Sequence, residues 1–255
     1  MEQTATDKAL DVLFYLRDRD EPCGITQISH ALSLPKSSAH RIVATLTRRG
    51  LLERDDHGRY RLGIGLLALG MGFLNQDPAV AAGRPVLQAV AADLGETCFL
   101  VAARAGELVV LDKAEGSGML RVSPQVGTRV PIRATGAGKL YLAHAPQEVV
   151  GAIEREPRFT DATLAGTSLD AAVANAAQAG FSQNIDEWIE GMSVLAAPVF
   201  ARDRLCGVIA LAIPSPRFRD MDRDAAIKRM KDATTEFRAR LEGRSTAQPT
   251  PERSR

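Results

Sequence analysis

Residues 24–52 constrain the fold more than any other stretch, because they predict two short helices joined by a tight turn. In the first helix, apolar residues recur at helical spacing from Ile28 onward, and Thr26 is placed to cap it. Leu34 and Pro35 predict the turn, since a residue that precedes proline is disfavoured in the helical region. Pro35 then stands at or just before the start of the next helix, where its missing N–H has no cost.

The second of these helices has one apolar and one polar side. Ile42, Val43 and Leu46 fall on the apolar side and can face a core. Short polar and basic side chains at a helix N-terminus suit a helix that enters the DNA major groove. Free N–H groups there suit a phosphate. From this side, together with the first helix, we expect DNA contacts by Thr26, Lys36, Ser37, Ser38, His40, Arg41 and Thr45.

A basic hairpin is predicted directly after the two helices. Residues 51–54 and 59–62 read as short strands, and Gly58 provides the turn between them. The hairpin is basic through Arg54, Arg59 and Arg61. We expect Arg59 and Arg61 to contact DNA as a wing beside the second helix.

The charge distribution agrees with a DNA-binding surface at this point of the chain. Residues 1–33 carry three basic and six acidic side chains, whereas residues 34–63 carry seven basic and three acidic ones. Positive charge is therefore concentrated on the elements that would touch phosphates. The alternative is a winged helix that packs on another protein.

The whole chain has the composition of an ordinary globular protein. Its 255 residues suffice for two domains, and a formal net charge of +1 means that attraction to DNA must come from a local patch. No apolar run is long enough to span a membrane, and the N-terminus has no signal-peptide pattern. The three cysteines have no paired spacing and read as reduced thiols, so we expect a cytoplasmic protein.

Residues 63–76 are nearly all apolar and rich in glycine, which predicts a helix that is apolar all round. Such a helix must be buried on several sides, and we expect a second protomer to pack there. An ordinary core helix of one domain is the alternative. The predicted organisation is a winged helix-turn-helix domain (1–62), a linker helix (63–77), a second, larger domain (78–242) and a disordered tail (243–255).

The remaining elements predict an α+β fold with an antiparallel sheet. A supporting helix precedes the helix pair at residues 7–18, capped by Thr6 or Asp7. Further helices are expected at 78–95, 137–144, 146–155, 169–179 and 220–241. Strands are expected at 97–103, 108–112, 119–122, 193–200 and 205–213.

Three segments in this order resemble the IclR family of bacterial transcription regulators: residues 34–41 with 58–63, residues 126–139, and residues 180–200. The resemblance implies an N-terminal winged helix-turn-helix, a linker helix and a C-terminal GAF-like α+β domain that binds a small effector. It also implies a homodimer or homotetramer that binds double-stranded operator DNA. The effectors implied are small metabolites, often carboxylated or aromatic, and no membrane partner is implied.

The resemblance places the effector over the sheet, against the loop that contains Thr135, Gly136 and Ala137. This loop also suits an anion on chemical grounds, since Gly136 and Gly138 allow close backbone approach and the loop opens a helix. A helix-start loop that binds nothing is the alternative. By position in the family, the other pocket residues are Met119, Val122, Val130, Asn184 on a facing loop, Met192, Val194 and Ala212, with Cys206 and Pro214 nearby.

The last strand departs from some members of this family, which carry serines near the strand end. Here residues 210–213 are all apolar. A pocket with few hydroxyl groups favours a more apolar or aromatic ligand than a very small keto acid.

No residue pattern favours catalysis, a metal site or a cofactor. Cys98 and Cys206 lie in apolar strand patterns, and the four histidines lack metal-ligand spacing. Asp186 and Glu187 could do acid–base chemistry, but a solvated loop is the simpler interpretation, and Trp188 could close over a ligand or pack. Two hypotheses remain: a ligand-responsive transcription factor, or a small-molecule-binding α+β protein whose winged helix binds another protein.

Overall fold

The computed structural model of the chain describes residues 3–104, 106–118, 124–144, 159–163 and 168–245. The chain divides into two compact units, Met1–Gln76 and Asp77–Arg255. Among the helices of the described ranges, none combines the length and apolarity required to cross a bilayer. The predicted strand at 119–122 and the predicted helix at 146–155 lie outside these ranges.

The first unit holds three helices, a small hairpin and a fourth helix. The helices are α1 (Ala5–Arg17), α2 (Ile25–Ala31), α3 (Lys36–Arg48) and α4 (Ile64–Gln76), and the hairpin pairs β1 (Leu52–Arg54) with β2 (Tyr60–Leu62). Val12, Ile28, Val43 and Leu52 are almost completely buried in its core. The apolar sides of α1, α2 and α3 therefore meet as their periodicity predicts.

Two predicted caps were wrong. Helix α1 is capped by Thr4, whose hydroxyl accepts the Asp7 N–H at 3.2 Å while the Asp7 carboxylate accepts the Thr4 N–H at 2.9 Å. This reciprocal pair of hydrogen bonds satisfies two helix-end donors, which a cap at Thr6 or Asp7 would leave open. Helix α2 is capped by Gly24, and Thr26 lies inside the helix.

The turn between α2 and α3 depends on Ser33 as well as on the predicted Leu34 and Pro35. Ser33 adopts a positive φ of 52°, and the Leu34 N–H donates to the Ser29 carbonyl at 2.9 Å. The Ser29 hydroxyl in turn donates to the Leu34 carbonyl at 2.7 Å. Pro35 is the N-cap residue of α3, as expected.

The second unit is a five-stranded antiparallel sheet with helices on both faces. Its strands are β3 (Thr97–Arg104), β4 (Glu107–Ala114), β5 (Ser182–Ile185), β6 (Met192–Ala201) and β7 (Arg204–Pro214), in the order β4-β3-β7-β6-β5. Helices α5 (Pro78–Leu94) and α9 (Arg223–Ser245) cover one face, and α6 (Gly136–His144) packs on the other, next to α7 (Leu169–Ala179). A short helix, α8 (Ser215–Asp220), follows β7.

The α+β fold class is confirmed, with differences at the ends and in short elements. Strand β5 and helix α8 were not predicted. Helix α9 continues to Ser245, three residues into the segment expected to be disordered, and residues 246–255 lie outside the described ranges.

Close packing of α5 against α9 yields the first testable prediction. A Cβ placed on Gly83 of α5 would lie 2.5 Å from the Phe237 ring of α9. We expect Gly83→Ala to destabilise the chain by about 1–3 kcal/mol, the usual range for overpacking a filled core. Denaturant unfolding measures this loss.

Gly243 is the matched control, because a Cβ there meets nothing within 4 Å. We expect Gly243→Ala to be neutral or to stabilise by up to about 1 kcal/mol through helix propensity. The double variant Gly83→Ala with Phe237→Leu should recover part of the loss. Equal stability of the two alanine variants would contradict the packing argument.

Candidate nucleic-acid interface and effector pocket

The solvent side of α3 carries the side chains predicted to read DNA. The exposed ones on this helix are Lys36, Ser37, His40, Arg41 and Thr45. Ser38 is half-buried on the side that faces α1, and Thr26 is exposed on α2. Apart from an internal bond from the Thr45 hydroxyl to the Arg41 carbonyl at 2.9 Å, this surface is open to a ligand.

The wing arginines differ in whether an acidic side chain neutralises them, which the sequence did not predict. Arg59 pairs with Asp55 at 2.9 Å, and Arg61 pairs with Glu53 at 3.1 Å. Both cations are therefore partly neutralised within the hairpin. Arg54 instead lies over the Tyr60 ring at 5.8 Å, and no ion pair of Arg54 occurs within the described ranges.

Two further residues belong to the exposed side of α3 described above, which we call the reading surface. Ala44 and Arg48 are exposed on the same side as Arg41. Arg48 follows Arg41 by seven residues, or about two helical turns. This spacing was visible in the sequence and could have identified Arg48.

A groove of about 440 Å³ separates α3 from the N-terminal half of α1. Lys8 lies on its α1 side, opposite Arg41 and Thr45 of α3. The described residues that line the groove include no carboxylate, so this flank of the reading surface is positively charged. Helix α1 therefore does more than support α3 from behind.

The predicted effector residues converge on one face of the sheet. The pairing register places Asn184 of β5 beside Val194 of β6, and Val194 beside Ala212 of β7. Side chains that pair across strands project from the same face. Buried on this face or on the elements that cover it are Val130, Thr135, Gly136, Ala137, Asn184, Met192, Val194 and Ala212.

Three of the residues predicted near the pocket are not placed with this group. Met119 and Val122 lie outside the described ranges. Cys206 lies at the opposite end of β7, six residues from Ala212, or about 20 Å at 3.3 Å per residue. Pro214 ends β7 and pairs with Met192, so it lies next to this group. Asn184 belongs to strand β5 and not to a loop.

The glycines at the start of α6 were expected to allow close approach of an anion, but the structure gives them another role. A Cβ on Gly136 would approach Ala196 at 3.1 Å, and a Cβ on Gly138 would collide with the Ile132 backbone. These glycines therefore let α6 pack closely on the protein itself. The Gly136 N–H donates to Asn184 Oδ1 at 3.1 Å. The Ala137 N–H lies in the first turn of α6, so it has no acceptor within the helix.

Asn184 is the polar centre of this region. It is only 1% exposed, and its Oδ1 atom accepts the Gly136 N–H. Its Nδ2 atom is buried and has no hydrogen-bond partner within the described ranges. A buried donor of this kind costs about 1–3 kcal/mol when it is left unpaired.

A buried ion pair ties α6 to the segment after β5. Lys139 Nζ donates to both carboxylate oxygens of Glu187, at 2.6 and 2.8 Å, and the Lys139 side chain is 5% exposed. The Thr163 hydroxyl donates to the Glu187 carbonyl at 2.6 Å. Glu187 is therefore a structural partner of Lys139, and not the solvated loop residue that we expected.

Tyr141 fixes the other end of α6 to the sheet. The Ala103 N–H of β3 donates to the Tyr141 hydroxyl oxygen at 3.0 Å. Burial raises the pKa of Tyr141 to about 12, so the hydroxyl stays protonated at neutral pH.

Two of the three cysteines are buried. Cys98 is completely buried in β3, and burial raises the pKa of its thiol to about 12. Cys23 is buried in the first unit, and Cys206 is half-exposed. No cluster of three potential metal ligands occurs in the described ranges.

Comparison with known proteins identifies relatives over almost the whole chain. A family model for the IclR helix-turn-helix domain matches residues 5–56, and one for the bacterial transcriptional regulator IclR C-terminal domain matches residues 72–238. The HTH-type transcriptional regulator BhcR of Paracoccus denitrificans is 31% identical over 241 residues, which cover 91% of this chain and 84% of BhcR.

Solved structures share the fold. An IclR transcriptional regulator from Alicyclobacillus acidocaldarius superposes with a TM-score of 0.80 at 23% identity, covering 94% of this chain and 100% of that one. An IclR homologue from Microbacterium hydrocarbonoxydans, complexed with 4-hydroxybenzoate, superposes with a TM-score of 0.77 at 23% identity and the same coverage.

The buried ion pair yields the second prediction. Glu187→Gln leaves the Lys139 ammonium buried without its counter-charge, and we expect a loss of about 3–5 kcal/mol in unfolding free energy. Replacing both partners, by Lys139→Met with Glu187→Leu, should recover most of it. Denaturant unfolding of the three proteins measures the difference.

Lys228→Met serves as the control, because Lys228 forms an exposed pair with Asp232. We expect its effect to stay below about 1 kcal/mol. A Glu187→Gln protein as stable as this control would show that the Lys139–Glu187 pair does not hold α6 in place.

Proposed function

The chain belongs to the IclR family of bacterial transcriptional regulators, and we propose that it binds operator DNA as a dimer or tetramer under the control of a small metabolite. The family consists of transcriptional regulators and not of enzymes. We propose that the metabolite is carboxylated or aromatic and occupies the face of the sheet around Asn184.

The observation that carries the effector site is the unpaired amide of Asn184. Its Nδ2 atom is buried and has no partner within the described ranges, and its row across the sheet continues with the apolar residues Val194 and Ala212. A ligand oxygen would complete its hydrogen bonding and remove the cost of the buried donor. The Ala137 N–H at the start of α6 offers a second donor to the same oxygen-bearing group.

The surroundings of Asn184 favour a ligand with an apolar body. Met192, Val194 and Ala212 offer no hydrogen bonds, and Lys139 is already neutralised by Glu187. The relative that was crystallised with 4-hydroxybenzoate supports an aromatic acid by analogy. Among the described residues around Asn184, no free cation is available to balance a second negative charge on the effector.

For the DNA side, we propose that α3 lies in the major groove. Arg41 would read a base edge, and Lys36, Arg48 and Arg54 would contact phosphates, because no ion pair occupies these cations in the described part of the first unit. Lys8 would contact the backbone that flanks α3. Since operators lie on the bacterial chromosome, we place the protein in the cytoplasm.

Helix α4 supports assembly with a second copy of the chain. None of its side chains is buried, and Ile64, Leu67, Leu69 and Phe73 are all more than half exposed. The alternative that α4 is an ordinary core helix of one domain therefore has no support from burial. Large exposed apolar surfaces of this kind mark protein–protein interfaces.

We propose that the effector acts by a shift between two populated arrangements of the dimer. The α3 helices of the two protomers must meet half-sites about 34 Å apart, so any change in the spacing of these helices changes DNA affinity. An effector bound in residues 78–242 can act only through different affinities for the two arrangements. We assign residues 63–77 as the linker that transmits the change from this domain to the DNA-binding domain, residues 1–62.

Two linked assays test this function. A mobility-shift titration on the DNA upstream of its own gene, with non-specific competitor at two salt concentrations, should give a specific shift that weakens with salt. A thermal-shift screen should find larger stabilisation by aromatic acids than by acids of the size of glyoxylate. A preference for the smallest acids would contradict the proposed effector class.

The charge distribution on the reading surface yields the third prediction. We expect Arg41→Ala to weaken operator binding by about 1–3 kcal/mol and to relax sequence preference at one base pair. Arg54→Ala should weaken binding to specific and non-specific DNA alike. Arg61→Ala is the matched wing control and should have the smaller effect, because Glu53 already neutralises Arg61. Wild-type affinity of the Arg41→Ala protein would contradict the placement of α3.

The exposed side of α4 yields the fourth prediction. We expect Leu69→Glu with Phe73→Glu to shift the protein towards monomer and to abolish tight operator binding, since one recognition helix cannot span two half-sites. Sedimentation velocity measures the assembly, and circular dichroism should stay unchanged because neither side chain is buried in the chain. Gln76→Glu on the same helix is the control. An unchanged assembly would contradict an interface at α4.

A further inference from the structure

We propose that Thr97 and Asn184 bind the two polar ends of a single effector molecule whose apolar body lies over Val194 and Ala212. This inference rests on the effector-binding function proposed above and specifies the shape and chemistry of the ligand. Thr97 has no assigned role in the resemblance or in the sequence patterns.

The pairing register places the four side chains in one row across the sheet. Asn184 pairs with Val194, Val194 with Ala212, and Ala212 with Thr97. Directly paired residues in antiparallel strands project from the same face. Thr97 is therefore on the face that carries Asn184, and the alternation along β3 agrees, since Phe99 and Val101 also belong to the core on that face.

Both ends of this row are buried polar groups with unused hydrogen-bonding capacity. Thr97 and Asn184 are each 1% exposed, and neither Thr97 Oγ1 nor Asn184 Nδ2 has a partner within the described ranges. Proteins rarely leave buried polar atoms unpaired, because each costs about 1–3 kcal/mol. Two such atoms at the ends of one row point to one ligand that serves both.

The spacing of the strands sets the length of that ligand. Asn184 and Thr97 are three strands apart, or about 14 Å between backbones at 4.8 Å per strand. If both side chains stand upright, hydrogen bonds of about 2.8 Å at each end leave up to about 9 Å between the polar atoms of the ligand. Acids with two or three carbon atoms are too short to reach both groups.

The chemistry of the two ends differs. Asn184 Nδ2 only donates, so the group that it binds must accept, as a carboxylate or carbonyl oxygen does. The Thr97 hydroxyl can donate and accept, which suits a hydroxyl group. Glu96, the neighbour of Thr97, is held by Arg217 through two bonds of 2.7 Å, so it adds no uncompensated charge at this end. The ligand class is therefore a monocarboxylic acid with a distal hydroxyl on an apolar body.

Matched pairs of acids on full-length protein test this inference. Calorimetric titration with benzoate and 4-hydroxybenzoate, and with two straight-chain acids of equal length, one bearing a terminal hydroxyl, gives the preference for the distal hydroxyl. We expect wild type to prefer the hydroxylated member of a pair by tenfold or more. Thr97→Val should remove this preference and leave the affinity for the unsubstituted acid within about twofold, because only the hydroxyl contact is lost.

Two controls separate a binding role of Thr97 from a structural one. Thr97→Ser keeps the hydroxyl and should keep the preference. Thr97→Val should not lower the melting temperature of the ligand-free protein, since it replaces an unpaired buried hydroxyl by a methyl group of the same shape. A marked drop in that temperature would show that Thr97 has a partner in the free protein and would contradict the inference.

The remaining outcomes are equally distinct. A hydroxyl preference that Thr97→Val leaves intact overturns the proposed role of Thr97. Binding of the unsubstituted acids alone overturns the two-ended ligand but retains the effector site. No response to any member of the panel, by calorimetry or by operator binding, overturns the two-ended acid, and the wider thermal-shift screen then decides whether the effector function itself fails.

Discussion

The position of β7 between β3 and β6 is the constraint on which the second unit depends. Strand β7 pairs with both neighbours, and these two registers decide which side chains share a face of the sheet. A slip of β7 by one residue would turn Ala212 to the opposite face, against α5 and α9, while Val194 on β6 kept its place. The row of residues proposed to bind the effector and the surface on which α6 packs both follow from this pairing.

In the first unit, the ion pairs on the surface determine which basic side chains stay available to contact DNA. Hairpin pairing sets Glu53 directly opposite Arg61, so the ion pair between them follows from the register of the wing. The turn carboxylate of Asp55 similarly holds Arg59 and accepts two N–H groups of the turn. These contacts rigidify the wing at the expense of its positive charge, and the cations of α3 and Arg54 remain for DNA.

The sequence predicted the long elements well because their periodicity agrees with their burial. Helix α7 was predicted with its observed bounds, and the capping glycine of α5 was identified correctly. Strand β5 was missed because its pattern is inverted: Ser182 and Asn184 are buried, whereas Ile185 is exposed. A prediction that assumes buried apolar side chains assigns a strand with buried polar side chains to a loop.

Contacts between distant parts of the chain were also outside the reach of the sequence patterns. The resemblance predicts Asn184, Val194 and Ala212 as effector residues, and this remains a prediction; Thr97 joins their row only through the register of β3 with β7. The ion pair of Lys139 with Glu187 joins residues 48 positions apart, and no local pattern could have matched them. Contacts of this range are decided by topology and not by spacing along the chain.

The placement of the three cysteines has a practical consequence for biophysical work. Cys23 and Cys98 are buried, and the raised thiol pKa of Cys98 removes the thiolate that alkylating reagents attack. Cys206 is half-exposed near the β6–β7 turn, at the far end of its strand from Ala212. A fluorophore or spin probe can therefore be attached to the folded wild-type chain at a single position, remote from the proposed effector site, without any prior substitution.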